Sequence, residues 1–386
     1  MTLADALLRD PQQPRGWWEL AEQLVVNPAK LDAAIRAYRT SLALSPAPLP
    51  GLLHRLSQAL LLRGELQEGF QLYEQRPWRP WFAPFEQRLG AAAVTKRQLL
   101  LISEQGLGDT LHFLRYAEAL QQQGHRVLLL CQPQLVGLIR SMSPLKQVLG
   151  FWDPTVPVPP DRQMDRNWGA LEGRLGDLNA WDWAPLMSLP ALLGHSRHLP
   201  LQKGLRANAA QQQRQTRWRQ RLGCRPGHRL LGLTWQGNTA VEHLPEMRGR
   251  SLPFHSWLEL LPSLQMPHPW EVLILQKGEA LPSEIQQLPL VRGQAEYTPV
   301  HNFEDTAAVL RCCDLVLSCD TVIAHLTGNL QVPCWLALKQ SPDWRWGLHH
   351  ERTPLYPSLR LFRQSRPGDW DGVVASIRQA MLQPNS

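Results

Sequence analysis

The chain lacks a CxxC pair, an apolar run near the ~20 residues that a membrane span needs, and a basic-then-apolar start. These absences disfavour a zinc finger, a transmembrane protein and a secreted precursor. Four of the six cysteines fall in or beside apolar segments of one region, where a free thiol packs as a small hydrophobe. The six are Cys131, Cys224, Cys312, Cys313, Cys319 and Cys334. We therefore expect a soluble protein of the cytoplasm without a membrane span.

The sequence also lacks a concentrated block of charge. The 386 residues carry a net charge of +7, but the basic residues are scattered, and the densest group, 214–221, is typical of one exposed helix face. This distribution argues against a nucleic-acid partner, whereas an anionic small ligand such as a nucleotide diphosphate fits the charge. The length allows two or three domains with sizeable cores.

Residues 1–78 contain no strand pattern and are typical of two helical pairs. A small residue is followed four positions later by tyrosine, with a proline further on, and this pattern recurs after about 35 residues. The two sets are Ala34, Tyr38, Pro46 and Gly69, Tyr73, Pro77. The spacing resembles the tetratricopeptide repeat (TPR), whose arrays usually bind a peptide or protein in a groove. A generic helical extension is the alternative interpretation.

The segment 104–112, Glu-Gln-Gly-Leu-Gly-Asp-Thr-Leu-His, lies between an apolar strand predicted over 98–103 and a helix predicted over 110–123. Gly106 and Gly108 allow a tight turn and close approach to a ligand, and the helix N-terminus attracts anions. Asp109 stands at this junction. Its carboxylate either caps the helix or faces the cleft beyond the strand ends, and the local pattern leaves both roles open.

From residue 98 onward the pattern alternates strands and helices, which predicts a parallel sheet with crossovers. A strand at 126–131 and a helix at 133–142 continue the first series, and residues 181–183 and 188–190 are interpreted as an irregular segment leaving the sheet. The second series has four predicted strands, each ending in a polar or glycine-containing turn: 230–235, 271–276, 314–319 and 333–338. Because parallel strands end at one edge, these turns are expected to converge there.

The chemistry of that edge suits a nucleotide diphosphate. Backbone N–H groups at Gly237 and Asn238 and at the helix after Thr321 would face phosphate oxygens, and Arg248 and Arg250 would add bidentate contacts. The remaining candidates on the same edge are Lys277, Gly278, Glu279, Asp320 and His325. Each candidate has a structural alternative: Asp320 and Thr321 as helix caps, the histidine in the core, and the arginines as solvated loop residues.

Residues 341–346 follow the last predicted strand and contain Asp343, Trp344 and Arg345. The tryptophan and arginine here would either wall a flat ligand or fill an interface between domains. The terminal helix, 371–381, is amphipathic and is predicted to pack back across the molecule.

Several of these segments together resemble bacterial TPR glycosyltransferases whose catalytic region is of the heptosyltransferase (glycosyltransferase family 9) type. The resemblance covers nearly the whole chain, and the blocks around residues 109 and 320–325 are specific as a pair. The segments are 104–109 (EQGLGD), 235–238 (WQGN), 250–253 (RSLP), 320–326 (DTVIAHL) and 343–346 (DWRW).

The resemblance implies an α/β protein of the GT-B class, with two Rossmann-like parallel-sheet domains that face a cleft. An all-α TPR-like region would span residues 1–78, the acceptor-side domain 79–200, and the nucleotide-sugar donor domain 201–386, with the last helix packing back. It also implies inverting transfer that needs neither a metal nor a cofactor. An Asp-x-Asp metal motif is absent between the domains.

The same resemblance implies roles for particular residues. Asp109 would be the general base, Arg250 would neutralise the departing diphosphate, and the Asp320–Thr321 region would contact the donor sugar. Related sequences tend to carry an acidic residue shortly before the Arg-x-Arg-Ser element. Here 243–248 reads HLPEMR, which leaves the donor open. The residues predicted to lie on the acceptor side or in the cleft are Gln105, Gly106, Gly108, His112, Asp343, Trp344 and Arg345.

The sequence thus predicts a glycosyltransferase that uses a nucleotide-sugar donor and a hydroxyl acceptor, the latter on a protein bound by the TPR-like region. A non-catalytic TPR scaffold with a degenerate transferase fold is the alternative. A dinucleotide-dependent oxidoreductase is disfavoured, because no Gly-x-Gly-x-x-Gly follows a strand with an acidic residue ~20 positions on.

Overall fold

The computed structural model describes residues 10–76, 98–150, 180–194, 199–201, 204–238, 242–243, 247–260, 264, 269–277, 291–292 and 302–383. Two compact units divide the chain. The first, here the helical unit, comprises Met1–Thr95, Met187–Leu199 and Gln340–His350. The second, here the sheet unit, comprises Lys96–Leu186, Pro200–Lys339 and Glu351–Ser386. The domain boundaries predicted from the sequence are finer than this division and remain predictions.

The helices of the described chain are short, and none is both long and apolar enough to cross a bilayer. In chain order they are α1 (Pro14–Val25), α2 (Leu31–Leu44), α3 (Leu52–Arg63), α4 (Leu66–Tyr73), α5 (Leu107–Gln122), α6 (Pro133–Met142), α7 (Leu189–Leu192), α8 (Ala209–Leu222), α9 (Phe254–Leu258), α10 (Phe303–Leu310), α11 (Val322–Asn329) and α12 (Trp370–Met381).

The strands form two sheets, both within the sheet unit. They are β1 (Gln98–Ile102), β2 (Arg126–Cys131), β3 (Gln147–Gly150), β4 (Asp182–Pro185), β5 (Arg229–Leu233), β6 (Trp270–Ile274), β7 (Val291–Arg292), β8 (Leu315–Cys319), β9 (Cys334–Leu338), β10 (Arg352–Thr353) and β11 (Tyr356–Arg363).

The first sheet has the order β3-β2-β1-β4, and all its pairs are parallel. The second has the order β10-β11-β9-β8-β5-β6-β7, parallel except for the β10–β11 pair. Central strands such as β8 and β9 are buried along their whole length, as expected of strands covered on both faces. The prediction of an α/β fold with parallel sheets is confirmed.

One prediction about the sheets is corrected. Residues 181–183, interpreted as irregular, contribute to β4, which pairs with β1 through Leu100 opposite Trp183. The terminal helix is α12, and its packing back across the molecule stays a prediction. Its side chains Val373 and Ile377 join the core of the second sheet with Trp257 and Phe362.

The two sheets are joined by contacts between helices that follow β1 and β8. The side chain of Asn329, on α11, donates a hydrogen bond to the carbonyl oxygen of Leu111 on α5 at 3.1 Å. Arg115 of α5 donates from Nη1 to the carbonyl oxygen of Leu355, just before β11, at 3.0 Å. Because α5 is buried over most of its circumference, the first turn of this helix is held firmly against the second sheet.

In the helical unit, α1 to α4 form two antiparallel helix pairs tied by an ion pair. Arg55 of α3 donates to both carboxylate oxygens of Glu22 on α1, at 2.6 and 2.8 Å, and the hydroxyl of Tyr38 on α2 donates to the same carboxylate at 2.6 Å. Burial raises the pKa of Glu22, but the hydrogen bond and charge of Arg55 outweigh it, and the net pKa is lowered. This network links three helices.

The two helix pairs also share a packing position. Ala34 on α2 and Gly69 on α4 occupy equivalent places, and both are buried, as are Tyr38 and Tyr73 four residues later. A Cβ at Gly69 would lie 2.7 Å from Cδ2 and 3.1 Å from the backbone nitrogen of Leu61 on α3. The close approach of α3 and α4 therefore requires glycine.

We predict that Gly69→Ala destabilises the protein by about 1–3 kcal/mol, because the added methyl overpacks the α3–α4 contact. In an uncrowded helix the same substitution would stabilise by about 1 kcal/mol. Chemical denaturation measures the free energy of unfolding.

The matched control is Leu61→Ala, which removes the crowding side-chain atoms. The cost of Gly69→Ala should be smaller in the Leu61→Ala background than in the wild type, as a double-mutant cycle would show. Equal costs in both backgrounds would contradict this packing argument.

Candidate active site

The first side of the site is the turn between β1 and α5. The backbone N–H of Gly106 donates to Oδ2 of the half-buried Asp109 at 2.9 Å, so this carboxylate closes the first turn of the helix. Gln105, just before, adopts a left-handed conformation with φ of 59°. The capping role that the sequence left open for Asp109 is thus present, and the role as a base stays a prediction.

The second side is the start of α11, directly after β8. Oγ1 of Thr321 accepts a hydrogen bond from the backbone N–H of Ile323 at 3.2 Å, which is an N-cap. Asp320, also half-buried, precedes it. The N-terminus of α11 therefore projects partial positive charge from the carboxyl edge of the second sheet.

His325, one turn into α11, links the two sides. It is 5% exposed, its Nδ1 lies 3.0 Å from the hydroxyl of Tyr356, and its ring centroid lies 5.8 Å from that of His112 on α5. A Cβ at Gly108 would come within 2.8 Å of Cδ2 of His325. Gly108 is therefore required for the approach of α5 to α11, and Gly108, His112 and His325 meet at one place.

The third part of the site is an arginine pocket after β5. The guanidinium of Arg250 fills the space beside Gly237, where a Cβ would lie 2.7 Å from Nη2. Nη2 lies 3.4 Å from the carbonyl oxygen of Asn238, and Nε lies 3.8 Å from Oε1 of Glu242. Nε is buried and, among the described residues, makes no hydrogen bond. The guanidinium keeps capacity to bind an anion.

Glu242 is a site residue that the sequence did not identify. Its carboxylate also accepts a hydrogen bond from the hydroxyl of Ser251. Glu242 thus places a carboxylate beside Arg250 from eight positions upstream. No spacing rule points to it, because the two residues meet only once the loop folds.

The arginine pocket and the start of α11 follow neighbouring strands, since β5 pairs with β8. Burial raises the pKa of the Cys319 thiol, Asp320 and Glu242 raise it further, and Arg250 lowers it. All three charges thus act on the thiol at the carboxyl end of β8. The convergence of the turns after β5 and β8 agrees with the expectation for a parallel sheet.

Two other predicted donor-side residues that the structure describes are Arg248 and Lys277. Arg248 is exposed, and its carbonyl oxygen accepts a hydrogen bond from Nζ of Lys339, after β9, at 3.1 Å. Partial desolvation lowers the pKa of Lys277, and Asp305 opposes this shift. Gly278 and Glu279 lie outside the described residues.

Three predicted acceptor-side residues belong to the helical unit. The Trp344 ring packs at 5.6 Å from that of Phe70 and 6.3 Å from that of Tyr73, both on α4. Arg345 lies over Trp344 and pairs with Asp343 at 2.8 Å. These residues contribute to the core of the helical unit.

Within the described part of the chain, no group of three or more His, Cys, Asp or Glu side chains is arranged to hold a metal ion. Among the described residues, the positive charge at this edge includes that of Arg250 and of the N-terminus of α11.

One further carboxyl on α5, that of Glu118, has a strongly raised pKa. Glu118 is 7% exposed and accepts a hydrogen bond from the Ser143 hydroxyl at 2.8 Å. Burial raises its pKa to about 7, against the opposing effects of Ser143 and Arg115. This carboxyl therefore titrates near neutral pH inside the helix that carries Asp109.

We predict that the wild type loses about 2 kcal/mol of stability relative to Glu118→Gln between about pH 5 and pH 8. The folded pKa exceeds the unfolded value, so the stabilising effect is complete below the unfolded pKa and is lost as pH rises through about 7. Denaturation across this range measures it. The exposed Glu259→Gln is the control, and parallel curves for wild type and Glu118→Gln would refute the prediction.

No protein-family model matches the sequence, and no curated protein matches it significantly. Solved structures do match. A glycosyl transferase family 9 protein from Veillonella parvula aligns with a TM-score of 0.51 and 11% identity, over 71% of this chain and 88% of that one. At this identity the likeness shows a shared fold.

Two further alignments have lower TM-scores and support no argument. E. coli ADP-heptose lps heptosyltransferase II aligns at 0.49 with 14% identity, over 75% of this chain and 100% of that one. The iron-containing dodecameric glycosyltransferase TibC from enterotoxigenic E. coli aligns at 0.42 with 14% identity, over 73% and 67% of the two chains.

Proposed function

We propose that this protein is a glycosyltransferase that moves a sugar from a nucleotide-sugar donor to an acceptor hydroxyl, with its two Rossmann-like sheets arranged as in GT-B enzymes. The observation that carries the proposal is the packing of Gly108 on His325. Through it the turn bearing Asp109 lies beside the helix that begins at the arginine pocket. A carboxylate on one sheet and an anion site on the other are what transfer between two substrates requires.

In this mechanism the diphosphate of the donor lies between Arg250 and the N-terminus of α11. Asp109 takes the proton of the acceptor hydroxyl as that oxygen attacks the anomeric carbon. The bond from that carbon to the diphosphate oxygen breaks, and Arg250 neutralises the leaving group. A single displacement of this kind inverts the anomeric configuration.

We further propose that transfer needs no metal ion, since a half-buried guanidinium and a helix N-terminus supply positive charge at the leaving group. Arg248, Lys277, Gly278 and Glu279 would line the nucleotide side, and Asp320 the sugar. Calorimetry in the presence of EDTA tests this directly, because a metal-dependent donor site would lose affinity there.

The helical unit is proposed to be TPR-like and to bind a protein or peptide acceptor. The buried Ala34–Tyr38 and Gly69–Tyr73 pairs, which repeat one packing position in two hairpins, support this. The cytoplasm is the proposed compartment, in line with six free thiols.

A second candidate function rests on the hydrogen bond from Gly106 to Asp109. By capping the helix, this hydrogen bond is enough to account for the carboxylate without catalysis. Such a role is expected of a non-catalytic scaffold that retains a transferase fold. The substitutions below separate the two functions.

We predict that the protein binds one of UDP, GDP, ADP, CDP or CMP in EDTA and that Arg250→Ala weakens this binding about 10- to 100-fold, the value of a charged hydrogen bond. Calorimetric titration gives the affinities. Arg217→Ala, on the exposed face of α8, is the control and should bind as the wild type does. Absence of binding to all five by the folded wild type would favour the scaffold.

We predict that Asp109→Asn lowers turnover at least ~100-fold, because an amide cannot accept the proton. The amide oxygen still accepts from Gly106, so folding and nucleotide affinity should hold. Release of nucleoside diphosphate from the donor identified by titration measures turnover. Asp109→Ala, which also loses the cap, should in addition lower the unfolding free energy. Unchanged turnover in Asp109→Asn would reject the base.

A further inference from the structure

Each sheet holds its site-bearing turn with a glutamine from a neighbouring strand. Gln132 follows β2 and is 9% exposed. Its Oε1 accepts from the Ser103 hydroxyl at 3.1 Å and from the Thr110 hydroxyl at 2.8 Å. Its Nε2 donates to the carbonyl oxygen of Gln105 at 3.1 Å. One amide thus binds both ends of the turn that contains Asp109.

In the second sheet a buried glutamine likewise binds the turn that follows a neighbouring strand. Gln276, two residues beyond β6, is 6% exposed, and its Oε1 accepts from the Thr234 hydroxyl at 3.0 Å. The same oxygen accepts from the backbone N–H groups of Trp235 at 3.2 Å and Gln236 at 3.0 Å. This turn leads directly to Gly237, against which the guanidinium of Arg250 lies.

The two arrangements share the position of their hydroxyl donor. Ser103 and Thr234 are each the first residue after their strand, and each donates its hydroxyl to the glutamine of the adjacent strand. A buried amide with several hydrogen bonds fixes a turn firmly, because any displacement leaves buried polar atoms unpaired. In the first turn Gln132 also holds the carbonyl of Gln105, whose left-handed backbone needs such support.

We propose that Gln132 and Gln276 are paired positioning residues that divide the tasks of the site. Gln132 sets the place of Asp109 and therefore controls turnover. Gln276 sets the place of the turn at Gly237 and therefore controls donor affinity. This inference rests on the proposed glycosyltransferase function, which it deepens, since neither glutamine needs to touch a substrate.

The test compares Gln132→Met with Gln276→Met, which keep side-chain length and remove the amide. For Gln132→Met we expect kcat at saturating donor to fall about 10- to 100-fold, with the Kd for the nucleoside diphosphate unchanged. For Gln276→Met we expect that Kd to rise about 10-fold or more, with kcat at saturating donor altered less than about threefold. Hydrogen exchange should quicken only in the turn that each variant releases.

A second pair of variants makes smaller changes, in case the glutamine variants do not fold. Ser103→Ala and Thr234→Val each remove one hydroxyl bond to the same glutamines, and they should show the same split at smaller size. If the two variants of either pair changed kcat and Kd to the same extent, the proposed division of tasks would be overturned. If the wild type binds no nucleotide, the proposed function fails and this inference with it. Nucleotide binding by the wild type without the split overturns this inference alone.

Discussion

The contact between Gly108 and His325 is the constraint on which the rest of the sheet unit depends. Because Gly108 has no Cβ, α5 can approach α11. The buried imidazole of His325 on α11 then packs against α5 and lies within hydrogen-bond distance of the Tyr356 hydroxyl. Each of these helices starts at the carboxyl edge of its own sheet. Their packing therefore fixes the distance between the two edges.

Rigidity at these edges comes from buried polar bonds within each turn, because loops without a regular ladder must satisfy their own backbone groups. The turn at Asp109 and the turn at Gly237 are short, and each is crossed by a single amide side chain. The positions of these turns are therefore fixed by hydrogen bonds more than by burial of apolar area. This also explains why polar residues at strand ends are buried here, where the surrounding strands are almost entirely apolar.

The sequence predicts the central strands well, because continuous apolar runs such as β8 are characteristic of strands covered on both faces. It also places Asp109 near the start of a helix and Arg250 in a loop, where the structure has them. It misses β4 and the long β11, since Pro185 and Pro357 are strand breakers that only an edge or strand-start position tolerates. Gln132 and Gln276 escape detection for another reason. Their hydroxyl partners lie 29 and 42 positions away, and no local pattern records such pairs.

The pairing of Arg250 with Glu242 bears on how a diphosphate would bind. At 3.8 Å the carboxylate keeps the guanidinium partly neutralised and in place before any anion arrives. An incoming diphosphate then gains less than the full charge of the arginine, but it finds the donor atoms already oriented. Removing the arginine would leave a carboxylate facing the phosphates, so the loss of affinity includes new repulsion. The pocket thus combines weaker net attraction for an anion with donor atoms that are already oriented.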